Sequence, residues 1–199
     1  HLIFSASPDG SESKARLYLR AMDRMESAPI SGTEGARSPF FSPDGQWVGF
    51  WAQGKLQKVP LGGGIPIPLC GLDEIPMGAS WGSNDRIIIG TLSQGLQSID
   101  AGGGKPEVLI APEPTTDATY RLPYLLPGGK AVVFTVMPHL WGTCGRIEVL
   151  SLESRKRKVL IEEGMDARLA GTTHLVYVRE GTLMAAPFDA DRLEIQGHA

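Results

Sequence analysis

The feature that most constrains this chain is a repeat with a period of about forty residues. Leu56-Gln57, Val59, Gly62-Gly63-Gly64, Pro66 and Leu69 recur as Leu96-Gln97, Ile99, Gly102-Gly103-Gly104, Pro106 and Leu109. Upstream, Phe41, Asp44 and Trp47 fall on Trp81, Asn84 and Ile87. A looser copy sets Leu125-Leu126-Pro127-Gly128-Gly129-Lys130 on Phe41-Ser42-Pro43-Asp44-Gly45-Gln46, then Ala131-Val132-Val133-Phe134 on Trp47-Val48-Gly49-Phe50. Turn signals cut each copy into short apolar runs. Pro43-Asp44-Gly45 combines a preset φ, a side chain that bonds its own backbone and a residue that accepts φ > 0. Gln53-Gly54 and the glycine triplet mark two further turns. A unit of four short antiparallel strands at this period is the pattern of a β-propeller blade.

Taken in order, the chain predicts an all-β propeller of about five blades over residues 1–36, 37–76, 77–120, 121–166 and 167–199. The strands of a blade are lettered A to D from the inside outward. The first unit opens at its B strand and lacks an A strand, so it contributes three strands where the others contribute four. The B strands Ile87-Ile88-Ile89, Val132-Val133-Phe134 and Leu175-Val176-Tyr177 are continuous apolar runs rather than alternating ones. Such runs fit sheets covered on both faces by neighbouring blades. Phe4, Phe50, Phe134 and Tyr177 are expected at equivalent B-strand sites. No long segment has helical periodicity with caps, so almost no helix is expected.

The 25 glycines and 15 prolines punctuate apolar runs at regular spacing, which argues against disorder. The net charge of −3 is mixed along the chain, and no nucleic-acid partner is suggested. No apolar run approaches the eighteen or so residues of a membrane span. Cys70 and Cys144 fall in non-adjacent repeats and read as unbridged. The chain starts inside a strand-like run without an initiator Met, and it reads as part of a longer repeat array. The missing inner strand poses a question of closure. Joining the first and fifth blades within one chain avoids the cost of association, so a closed irregular ring is expected. Pairing of open ends between two chains is the alternative.

The Ser-Pro-Asp-Gly turn before an aromatic-bearing strand, with its Gly-Gly-Gly-x-Pro hairpin, resembles the WD40-like repeats of TolB-type propellers. It looks closest to the propeller regions that follow the membrane segment of many bacterial serine/threonine kinases. Leu17-Tyr18-Leu19-Arg20, Gly32-Thr33-Glu34-Gly35-Ala36 and the stretch Gly181-Thr182-Leu183-Met184-Ala185-Ala186-Pro187-Phe188 fit that pattern. The kinase motifs themselves are absent. The resemblance implies a non-catalytic sensor or scaffold module of a larger bacterial protein, extracytoplasmic and without a cofactor. The rival it allows is the substrate-gating propeller of a prolyl-oligopeptidase-type serine peptidase.

Several residues invite chemistry. Gly78-Ala79-Ser80-Trp81-Gly82 matches the Gly-x-Ser-x-Gly nucleophile elbow, but Ser80 falls within the repeat on an inner strand, with no strand–turn–helix context. His1, His139, His174 and His198 lack metal-ligand spacing, and Cys144 with His139 on the long fourth-unit loop makes at most a loose pair. Ser154-Arg155-Lys156-Arg157-Lys158 reads as a solvated outer turn or, less simply, a docking patch for an acidic partner. Asp9 and Asp44 read as turn residues. The candidate binding site is Arg37, Arg121 and Arg168, which stand near the start of inner strands where the third unit has Met77. Glu34, Glu74, Asp117 and Asp166 precede these positions and could pair with the arginines locally. The alternative is an arginine-rimmed channel mouth that takes a small anion or a partner protein's acidic segment.

Overall fold

The computed structural model describes residues 1–7, 9–11, 14–113, 118–138 and 145–197. Among them the strands form five up-and-down antiparallel sheets, one per blade. The first blade is β1 (Leu2–Ala6), β2 (Arg16–Arg20) and β3 (Ser27–Pro29). The second is β4 (Arg37–Phe41), β5 (Trp47–Ala52), β6 (Lys55–Pro60) and β7 (Ile67–Gly71). The third is β8 (Ala79–Trp81), β9 (Arg86–Gly90), β10 (Leu96–Asp100) and β11 (Glu107–Ile110). The fourth is β12 (Thr119–Leu125), β13 (Ala131–Met137), β14 (Arg146–Ser151) and β15 (Arg157–Ile161). The fifth is β16 (Met165–Ala170), β17 (His174–Arg179), β18 (Thr182–Asp189) and β19 (Glu194–Ile195). The first blade has three strands and the others four, as the repeat predicts. No α-helix occurs among the described residues, and no helix is long and apolar enough to cross a membrane.

The turns form for the reasons their residues suggest. Ser42 Oγ donates to Asp44 Oδ1 at 2.5 Å and accepts the Trp47 N–H at 2.9 Å, while Asp44 Oδ1 also accepts the Gln46 N–H at 3.0 Å. Gly45 completes the turn at φ 67°. Gln53 and Gly54 both take positive φ, the two-residue hairpin geometry that matches strand twist, and Glu180-Gly181 repeats it in the fifth blade. The glycine triplet serves packing between blades as well as turning. The Gly104 N–H donates to the Leu69 carbonyl of the preceding blade at 3.0 Å, and a side chain on Gly103 would meet that same carbonyl at 2.9 Å.

Four apolar clusters fill the seams between consecutive blades. Leu17 and Ile30 meet Val48 and Phe50; Leu56 and Leu69 meet Ile87 and Ile89. Ile88 and Leu96 meet Val132 and Phe134; Val133 and Val149 meet Tyr177 and Phe188. Phe50, Phe134 and Tyr177 occupy one repeated B-strand position and are each at most 1% exposed. Burying such a side chain is worth about 1.5–3 kcal/mol. Phe4 holds the corresponding position in β1, where it is half-buried and stacks on Tyr18 at 5.7 Å between centroids.

Charges reinforce the seams. Glu148, 2% exposed, lies between Arg146 at 2.5 Å and Arg157. The Arg157 guanidinium stacks 5.4 Å from the Tyr120 ring. Burial would lower the pKa of Arg157, but the hydrogen bond and charge of Glu148 outweigh it and hold the guanidinium above its ordinary value. The basic run after Ser154 is more than a solvated turn. Arg155 pairs with Glu107 of the third blade, and Lys158 with Glu194 of the fifth at 3.1 Å. These bases tie the fourth blade to both neighbours.

Consecutive inner strands touch in series, β4 to β8, β8 to β12 and β12 to β16, with β1 of the first blade against β4. Between the fifth blade and the first, the described residues make no contact of that extent. The ring closure expected from the sequence is therefore not among the described contacts. The blades follow one another as an arc, with Leu2 44% and Leu183 72% exposed on the two end blades.

Candidate functional site

Three of the four complete blades have a bulge in the A strand. Register shifts separate Arg37 from Phe40, Arg121 from Tyr124 and Met165 from Arg168. At each shift one non-glycine residue takes the left-handed conformation: Ser38 (φ 49°), Leu122 (φ 50°) and Asp166 (φ 52°). The third blade has Gly78 there, at φ 117°. A bulge twists a strand and re-aims its side chains, and these sit where the inner strands converge.

The bulges also set the register of the candidate arginines. Arg37 and Arg121 each precede the left-handed residue, as do Met77 and Met165. Arg168 lies two residues beyond it, at the position held by Phe40, Ser80 and Tyr124. The sequence reading that put all three arginines at one repeat position is corrected on that point. The left-handed residues Ser38, Leu122 and Asp166 give no glycine signal, so the bulge was not visible in the sequence.

Despite its different register, Arg168 meets Arg121. The two line one cavity of about 460 Å³ together with Ser38, Met77, Gly78 and Leu122. Arg37 lines a neighbouring cavity of about 440 Å³ with Ser5, Ser7 and Ser11, and Ser38 borders both. The Arg121 Nε donates to Thr119 Oγ1 at 2.7 Å, and burial pushes the guanidinium's pKa below its ordinary value. Arg168 is held by Asp166 at 2.7 Å, by the Pro123 carbonyl at 3.4 Å and by the Tyr124 ring, 5.4 Å to the centroid. Two positioned guanidiniums on one concavity are suited to a carboxylate or phosphate, whose oxygens match their fork of N–H donors.

The acidic residues sort differently from one another. Asp166 pairs with Arg168 as a local pair would. Glu34 pairs instead with Arg16 at 3.6 Å. Glu74 accepts from the Leu92 and Ser93 N–H groups at 3.1 Å, holding the turn between β9 and β10 of the third blade. Asp117 lies outside the described residues.

Hydrogen bonds join the inner strands that frame the cavity. Ser38 Oγ donates to the Pro76 carbonyl at 2.9 Å, and the Leu122 N–H to the Met77 carbonyl at 2.8 Å. A Cβ on Gly78 would stand 2.9 Å from the Leu122 Cα, so only glycine allows the third blade's inner strand to approach the bulge of the fourth. Ser80 Oγ accepts the Leu125 N–H at 2.9 Å, which makes it a link between inner strands rather than a nucleophile on an elbow.

Other sequence candidates add no chemistry. No group of three or more His, Cys, Asp or Glu residues suited to a metal occurs among the described residues. His139, Cys144 and His198 lie outside them. Cys70 carries a free thiol whose pKa burial pushes up. Asp9 accepts from Ser7 and the Ser11 N–H, both at 3.0 Å, as a turn residue should.

No protein-family model and no curated protein sequence matches this chain. Its likenesses are to solved structures. A putative TolB from Agrobacterium tumefaciens superposes with a TM-score of 0.70 at 15% identity, over 98% of this chain and 79% of that one. An oligogalacturonate lyase in complex with manganese gives 0.70 at 14%, over 98% of this chain and 61% of the lyase. A prolyl endopeptidase gives 0.59 at 12%, over 92% of this chain and 31% of the peptidase. At these identities the likeness is one of architecture, and the chain spans less than two thirds of the lyase and of the peptidase. The fold is a β-propeller, an architecture shared with TolB proteins.

Proposed function

We propose that this chain is a binding module, and that the cavity between Arg121 and Arg168 receives an anionic group: a small carboxylate or phosphate, or the acidic side chains of a protein partner. The observation that carries this reading is the placing of two guanidiniums from different blades on one cavity, each oriented by its own neighbours. Arg37, in the adjoining cavity, extends the basic surface toward the second blade. A module of this kind suits the extracytoplasmic sensor or scaffold part of a larger bacterial protein. That placement rests on the resemblance of the repeat motifs to those of TolB-type and kinase-linked propellers. The substrate-gating propeller of a serine peptidase remains the rival, with shared architecture behind it.

The test is calorimetric titration with inorganic phosphate, citrate and a short poly-glutamate peptide at low salt. At least one should bind with Kd of about 1 mM or tighter. Arg121→Gln and Arg168→Gln should each weaken it by about tenfold, the equivalent of 1.4 kcal/mol. Binding that survives both substitutions would overturn the assignment, as would no binding by any of the three probes.

A further inference from the structure

We propose that the cleft between the second and third blades, beside the A–B turns, is a second binding site, and that it takes a neutral saccharide. This goes beyond the anion site, involves none of its residues, and stands or falls independently of it. The cleft encloses about 700 Å³, within the roughly 300–1,000 Å³ of small-molecule sites. Its lining combines Trp47, Trp81 and Lys58 with Asp44, Asp85 and Asp100.

The repeat indicates that the fold does not need this combination. Lys58 pairs with Gly49 across the sheet, on the face turned to the next blade. The corresponding strand positions are Ser98 in the third blade and Val149 in the fourth, 3% and 1% exposed. Trp81 corresponds to Phe41 and Leu125; the third blade's A–B turn is one residue shorter than the second's, so Trp47 corresponds to Arg86, not to the Ile87 that a strict forty-residue shift gives, and to Ala131 in the fourth. Where the third blade meets the fourth, the equivalent cleft is bridged by the Arg155–Glu107 pair, with Arg86 of the third blade 3.8 Å from the same carboxylate. No ion pair spans the tryptophan cleft among the described residues; there Lys58 reaches across to a backbone carbonyl instead. Two half-buried indoles and a half-buried ammonium are thus departures from the pattern at a single seam.

The charges then select the ligand. The Lys58 ammonium lies 4.9 Å from the Trp47 ring and 5.8 Å from the Trp81 ring, and donates to the Ala101 carbonyl at 2.8 Å. A cation entering the cleft would meet that ammonium. An anion would meet the carboxylates: Asp44 and Asp100 use one oxygen each within their own turns, and the Asp85 side chain makes no hydrogen bond or ion pair among the described residues. The Trp81 Nε1 is buried without a partner there. A neutral sugar suits the carboxylates, the ammonium and the indole faces together. Its C–H face can lie on an indole, and each hydroxyl both donates, to a carboxylate, and accepts, from an ammonium.

The experiment is a titration of maltotriose, cellotriose and triacetylchitotriose, followed by intrinsic tryptophan fluorescence and by saturation-transfer NMR. At least one should bind with Kd of about 1 mM or tighter. Trp47→Ala and Lys58→Met should each weaken that binding by about tenfold or more while leaving the thermal transition within a few degrees of the parent. Arg121→Gln should leave it unchanged, which separates this site from the anion site. Trigalacturonate and the fully deacetylated chitosan trimer, the anionic and cationic counterparts, should bind at least about tenfold more weakly. The proposal is overturned if none of the neutral trimers binds, if binding is indifferent to both Trp47→Ala and Lys58→Met, or if a charged trimer or a basic peptide binds more tightly than every neutral one.

Discussion

The B strands of the fourth and fifth blades read alike in sequence and are buried differently. Every residue of β13 is buried. In β17 only Leu175 and Tyr177 are; Val176 and Val178 are half-buried, and His174 is exposed. The face that β17 turns to the fourth blade is as dry as anything in β13. Among the described residues, its other face has no neighbouring sheet in comparable contact. The same holds in mirror image for the first blade, where Ile3 packs into the seam and Phe4 lies on the outer flank. An apolar run therefore reports a position built to be sandwiched, while the burial it achieves depends on whether a second sheet is present. Stability should be concentrated in the middle seams and thin toward the two end flanks.

Substitution at one repeated site gives the sharpest contrast. Phe134→Ala should cost about 3–5 kcal/mol, because the surrounding blades cannot collapse into the void. Phe4→Ala should cost about 1 kcal/mol, chiefly its stacking on Tyr18. Urea denaturation of both variants measures the difference, and equal losses would break the comparison. Glu148→Ala comes next. It strips the carboxylate from between Arg146 and Arg157 at the third seam, an expected loss of about 2–4 kcal/mol, below that of a fully buried pair because Arg146 is 41% exposed. Gly78→Ala should cost about 1–3 kcal/mol through positive φ and contact with Leu122, and should also loosen the cavity that holds Arg121.

The smallest effect is a dependence on acid at a turn. The Ser42 hydroxyl, then the Gln46 N–H, hold the Asp44 pKa below its ordinary 3.8. A carboxylate whose folded pKa is depressed contributes stability that is fully present above its unfolded value and lost as pH falls through the folded one. Asp44→Asn, which resembles the protonated acid, should therefore lower the melting temperature slightly near pH 7, converge with the parent below about pH 4 and so flatten the acid limb. An unchanged acid limb would show that Asp44 contributes nothing there.

What could be read from the sequence follows from which signals are local. Pro43-Asp44-Gly45 and the glycine triplets announce themselves because turns require particular residues, so blade order and strand count came through. The inner bulges did not. Ser38, Leu122 and Asp166 carry their left-handed backbone through inter-blade hydrogen bonds, such as the Asp166 N–H to Thr135 Oγ1 at 3.0 Å, not through residue type. That hid the three-residue displacement of Arg168 relative to Arg37 and Arg121. The convergence of Arg121 and Arg168 is a product of the bulges and could not be counted out along the chain. The tryptophan cleft left a trace that alignment of the repeats can find: a lysine where other blades place serine or valine.

The central claim is that Arg121 and Arg168 act together on one anion. A crystal structure of the chain grown in phosphate tests it most directly. The account expects a tetrahedral anion in the cavity, within hydrogen-bond distance of both guanidiniums, and its loss in Arg121→Gln. An empty cavity at high phosphate, with Arg168 turned wholly to Asp166 and Arg121 away from it, would contradict the account.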